Sequence, residues 1–296
     1  MYRILTILIM TLLTTTALAF DLGGLVEQVT KPKSSEQAAE GDTSKGEAAK
    51  QTGIGSLLGL VAETPVEEEV AIGREITGRL LGASMLVKDR KLQRYINRVG
   101  KWVALQSGRG ELTWHFGVIE SEDINAFAMP GGYILVTKGL YRQLKSEAEL
   151  AGVLAHEIGH VIKKHHLKIL KKGQAIDAGG GLLRSKVAED GKGEAIGRMI
   201  GSGAEIMARG LDKAAEYEAD RIGVVLATRA GYDAYGLPAV LQEIGHVSSS
   251  DSSVSLLFKT HPHPDVRLAR LDAAMGERFD EFDDGRSLPG RLYKIQ

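Results

Sequence analysis

The 296-residue chain contains no cysteine. It therefore uses no disulfides, although export would permit them, and it offers no acceptor for a lipid-modified cysteine. It also has almost no net charge. Lys+Arg number 37 and Asp+Glu 38, a formal balance of -1, so no bulk field draws it to nucleic acid or to an anionic membrane. Beyond the first twenty residues no run is long and apolar enough to span a bilayer, and no tandem repeat is visible. What is present is ordinary for a soluble globular protein: 43% hydrophobic and 25% charged residues, enough chain for one large domain or two small ones.

The first residues, MYRILTILIMTLLTTTALAF, place Arg3 before an apolar stretch and a small-x-small site at Ala17-Leu18-Ala19. Ile4 to Ala19 is shorter than the ~20 apolar residues of a spanning helix and is broken by threonines. This reads as a secretory signal peptide over residues 1–19, the alternative being an uncleaved anchor. Residues 20–63, rich in Lys, Ser, Glu, Gly and Ala, read as a flexible leader. The folded domain is expected over residues 64–296, in a periplasm-like compartment, soluble or peripherally associated with a membrane.

Thr64 is the expected N-cap of a first helix, with Pro65 and an acidic run in its first turn. A second helix fits KDRKLQRYINRVGKWVALQ. LTWHFGVIES has strand character, and INAFAMPGGYILVTKGLYRQL reads as extended edge, Pro-Gly-Gly turn, strand and helix start. Helices dominate afterwards. The expected fold class is α+β, mostly helical, with a small sheet.

Four of the eight histidines fall within eleven residues, in HEIGHVIKKHH. On a helix, positions four apart are offset by ~40°. His156 and His160 therefore share a face and can hold one metal ion, with Glu157 beside them as a general base for water. Apolar neighbours imply that this helix is buried, where imidazoles and carboxylates need partners. His166 occupies the third-histidine position of an extended H-E-x-x-H-x-x-G-x-x-H motif, but Lys163 stands where that motif needs glycine. On a continuous helix His166 would lie ~15 Å from His156. His165, His166, Lys163, Lys164 and Lys168 are accordingly expected as a solvated basic helix end. In AAEYEADRIGVVLATRAG, Glu216 and Asp220 share a face with the small Gly223 and Ala227. That face can press against Ala155 and Gly159, making Glu216 a third ligand and Asp220 the acceptor for a ligand histidine's free N–H. Glu218 is expected to point away, toward Arg221 on a wet face.

HEIGH followed by EYEAD resembles the gluzincin family of the HtpX heat-shock protease and the CAAX prenyl endopeptidases, most closely its soluble periplasmic branch. NAFAMPGGYILVTKGL, ADRIGVVLATRAGYD and THPHPDVRLARL extend the resemblance over roughly Glu67 to Met275. The resemblance implies a zincin-like domain whose small sheet lies beside the active-site helix. It implies one Zn2+ per chain bound by His156, His160 and Glu216, and Glu157 as the catalytic residue. His261, His246 and Arg267 are candidates for a gate or an oxyanion donor.

An exposed strand at Asn125, Ala126, Phe127 and Ala128 would hold an extended peptide through its backbone. Residues 173–210, rich in glycine, suit a mobile cover, with a weakly helical loop or a lipid-touching surface as alternatives. The expected function is a zinc endopeptidase of the cell envelope that acts on misfolded or exported polypeptides, without nucleic acid, and with room for contact to a membrane or to outer-membrane assembly. A chaperone-like binding protein on the same fold is the alternative.

Overall fold

The computed structural model describes residues 64–180, 211–248, 250–282 and 285–295. The expected signal peptide and leader, residues 1–63, lie outside the described residues, as does the glycine-rich segment from 181 to 210.

Helix α1 spans Val66–Ala83 and is capped by Pro65, whose carbonyl accepts from Glu69 N at 3.0 Å. The expected cap at Thr64 is thus one residue early. Proline holds the extended conformation a cap requires and supplies the first carbonyl itself. Helix α2 spans Arg90–Ala104, and the Asp89 side chain accepts from Lys91 N and Leu92 N. It buries Leu92, Tyr95, Ile96, Val99 and Val103.

Three strands follow: β1 (His115–Ile119), β2 (Ala126–Met129) and β3 (Tyr133–Thr137). The sheet order is β1-β3-β2, with β1 parallel and β2 antiparallel to β3. β2 is therefore an edge strand. Its turn into β3 uses Gly131 and Gly132 at φ 75° and 92°, a region L-residues avoid. A Cβ on Gly131 would also stand 2.5 Å from Val70 Cα. The turn is fastened to α1 by the buried Glu69, which accepts from Gly131 N at 3.2 Å and pairs with Arg109 and Lys164.

A short helix α3 (Lys138–Gln143) leads to α4 (Glu147–Ile162), capped by Ser146. Nearly the whole of α4 is buried, so its polar residues must find partners inside the protein. At its start, Glu147 meets Tyr95, Tyr232 and Arg291 at 2.9, 3.1 and 3.0 Å. Then come α5 (His165–Gly180), α6 (Lys213–Arg229), α7 (Gly236–Gly245), α8 (Ser252–Thr260) and α9 (Pro264–Met275). Residues 173–180 of the glycine-rich segment thus end helix α5. Helices α4 and α6 pack closely enough that a Cβ on Gly223 would sit 3.0 Å from His156 N. No helix among the described residues is long and apolar enough to cross a membrane.

Candidate metal centre

Helix α4 presents His156 and His160 on one face, with their Nε2 atoms 3.0 Å apart. The close approach of α6 brings Glu216 opposite them. Its carboxylate oxygens lie 3.7 Å from His156 Nε2 and 3.6 Å from His160 Nε2. His261 Nε2, at the end of α8, lies 3.7 Å from Glu216 Oε2. One ligand atom from each of the four residues falls within 4.8 Å of every other.

Both Glu216 oxygens are buried without a hydrogen-bond partner. A carboxylate in that state is costly unless a cation satisfies it, and burial does push its pKa well up. Ligand atoms around a tetrahedral zinc at ~2.0–2.1 Å stand ~3.3 Å apart. The observed separations bracket that value, and imidazole with carboxylate is a zinc-type donor set. The residues present fit the ion.

The distal nitrogens of both histidines are engaged. His156 Nδ1 lies 2.9 Å from Asp220 Oδ1. Asp220 also accepts from Arg267 Nε at 2.9 Å and Nη2 at 2.5 Å. Burial opposes ionisation of Asp220, but the Arg267 guanidinium holds its carboxyl well below the usual range. His160 Nδ1 lies 2.9 Å from His165 Nδ1, and His165 Nε2 lies 3.1 Å from Glu218 Oε2. Burial holds His156 below its ordinary pKa and His160 well below it.

The sequence did not indicate this second contact. Helix α4 stops at Ile162, Lys164 adopts φ 54°, and α5 starts at His165. His165 is consequently buried against His160 rather than solvated. His166 lines the cleft beside Glu157 and Glu216, together with Ala128. Glu218 pairs with Lys163 at 2.7 Å and with His165, instead of facing Arg221. The clustering of four histidines was the available signal, but a helix break at a lysine pair carries no glycine to announce it.

Glu157 is buried, and burial raises its carboxyl to about 8. It borders the same cleft as Ala126, Phe127 and Ala128, with Asn125 buried just before them. These strand residues are themselves covered in this state. His261 is extended, as its position before Pro262 requires, and its Nδ1 lies 2.9 Å from Thr260 Oγ1. Arg267 is committed through two nitrogens to Asp220. His246 is not brought to the centre: it is the exposed C-cap of α7.

A buried H-E-x-x-H helix, a carboxylate from a second helix and an edge strand alongside define a zincin-type metallopeptidase. The chain belongs to peptidase family M48, whose profile matches residues 90–275. It is 30% identical over 223 residues to the beta-barrel assembly-enhancing protease of Yersinia pestis, covering 73% of this chain and 45% of that protein. The protein of the same name from Escherichia coli K12 is 29% identical over 211 residues, covering 69% and 43%. The mitochondrial metalloendopeptidase OMA1 of Schizosaccharomyces pombe is 26% identical over 196 residues, covering 66% and 57%. The chain thus spans less than half the length of these bacterial relatives.

Proposed function

We propose that this chain is a zinc-dependent endopeptidase of the cell envelope that hydrolyses misfolded or exported polypeptides, with one zinc per chain held by His156, His160 and Glu216. The observation that carries the reading is the unpartnered, buried Glu216 carboxylate facing two converging imidazoles. A zinc ion held there supplies Lewis acidity, which activates water near neutral pH and polarises a carbonyl. Glu157 takes the proton from the attacking water at its carboxylate and delivers it to the leaving amine. The buried site keeps Glu157 basic enough for that task, and a cation held by the neighbouring residues would draw its pKa down from about 8.

Asp220 holds His156 as the Nδ1–H tautomer and leaves Nε2 free to ligate. His165, donating its own Nε2–H to Glu218, accepts from His160 Nδ1 and does the same for the second ligand. Substrate adds along β2 at Asn125 to Ala128, reading backbone rather than side chains. Entry requires displacement of His166 from the cleft and of His261 from the centre. His261 then acts as a gate over the fourth position. His261→Ala should raise peptidase activity or self-cleavage with zinc retained, whereas lowered turnover would make it an oxyanion donor instead.

The name of the bacterial relatives, beta-barrel assembly-enhancing protease, supports a role near beta-barrel assembly, and the expected signal peptide supports export. The test is casein digestion by the purified chain with and without a chelator. Zinc-dependent cleavage is expected. Zinc-loaded protein that binds casein without cutting it would instead make this a chaperone-like binding protein.

A further inference from the structure

Helix α2 carries Arg90, Lys91, Arg94, Arg98 and Lys101 and no acidic residue. All five are exposed. From Lys91 the cations recur at spacings of three and four, so they form one stripe along the solvent face. Trp102 and Leu105, 50% and 73% exposed, close the stripe at its C-terminal end. The helix cannot roll to hide it, because the opposite face is buried in the core.

Beside that end lies a cavity of about 770 Å³. Arg98, Lys101, Trp102 and Leu105 line it together with Arg286 and Arg291, brought there from the far end of the chain. Arg291 pairs with the buried Glu147. Among the described residues no carboxylate pairs with Arg98, Lys101 or Arg286. The formal charge of -1 therefore conceals a face of one sign.

We propose that this face docks on an anionic lipid surface, with the cations on phosphate headgroups and Trp102 and Leu105 at the boundary with the acyl chains. Charge complementarity selects the occupant. The stripe's charged side chains are hydrogen-bond donors only, whereas a protein partner is normally met by a mixture of donors and acceptors. Clustered Lys and Arg on an amphipathic helix match anionic lipid, and exposed tryptophan suits the headgroup level. Trp102 already satisfies its indole N–H on Ala230 O at 2.8 Å, so its ring can enter that layer without an unpaired donor.

The test uses the full chain and phosphatidylcholine vesicles, with or without about a third phosphatidylglycerol, at low and physiological salt. Bromine-labelled acyl chains report contact with tryptophan. Trp114 is only 7% exposed, so quenching reports Trp102 independently of any N-terminal apolar segment. Salt-sensitive binding and quenching are expected on the anionic vesicles only, with quenching lost in Trp102→Phe. Each cation near such a surface is worth roughly fivefold in binding, so Arg98→Gln with Lys101→Gln should weaken it roughly thirtyfold. Both residues are exposed, and circular dichroism should be unchanged. Equal binding to neutral vesicles, binding without quenching, an unaffected double variant, or binding to polyglutamate in place of vesicles would each overturn the proposal.

Discussion

Replacing Asp220 by alanine should damage the protein in two separable ways. Asp220 is 1% exposed and receives two bonds from Arg267, itself 4% exposed. The variant strands a buried guanidinium, and breaking a buried pair in this way costs about 3–5 kcal/mol. For a chain of this size each kcal/mol moves Tm by about 2–4 °C, so metal-free protein should melt roughly 6–20 °C lower. The variant also leaves His156 Nδ1 without its acceptor, which should weaken zinc by about 10–100-fold. Adding Arg267→Met removes the stranded charge. The double variant should recover most of the melting temperature, since an apolar replacement of a buried pair is often neutral. It should not recover zinc affinity, measured by competition against a chelator. Zinc affinity that returns together with stability would refute the orienting role of Asp220 and leave only its pairing with Arg267.

The same reasoning extends to His160: if it ligates zinc as proposed, His165→Ala should weaken zinc about tenfold or more. Glu216→Ala should abolish stoichiometric zinc, while Glu218→Ala, one bond further out, should retain most of it; metal analysis decides. Acidity should act with a definite sign in metal-free protein. Burial depresses the pKa of His156, His160, His165, His166 and His261. The unfolded chain therefore takes up protons that the folded one refuses. Stability should fall as pH drops below about 6.5, by up to about 1.4 kcal/mol per pH unit per histidine. Glu157 and Glu216 are raised and act oppositely, costing stability as pH climbs above about 4.5, in the case of Glu157 until about 8. Urea unfolding of chelated protein should show a maximum near neutrality; a maximum below pH 5.5 would refute this. Zinc should stabilise progressively more as pH rises through that window.

Much of the centre was legible because helix geometry converts spacing into placement. His156 and His160 stand four apart, as do Glu216 and Asp220, and the small residues Gly159 and Gly223 announce two helices in close contact. The strand, Pro-Gly-Gly turn and following strand were legible for a similar reason, since the turn needs residues that tolerate positive φ. What the spacing could not show was where a helix ends when no glycine or proline marks it. The turn at Lys163 and Lys164 reverses the expected fates of His165 and His166 and draws Glu218 inward. The α2 stripe was hidden for another reason. Net charge is a sum, and it says nothing about how the fold segregates the signs.

The most direct measurement sets zinc content beside casein cleavage for wild type and Glu157→Gln, prepared identically. Glu157 lies outside the set of ligand atoms, and glutamine keeps its shape while removing its basicity. One zinc per chain is expected in both proteins, with cleavage by wild type alone. A Glu157→Gln variant that cuts casein at the wild-type rate, or a fully active wild type that carries no zinc, would contradict the assignment of this site as a metallopeptidase centre.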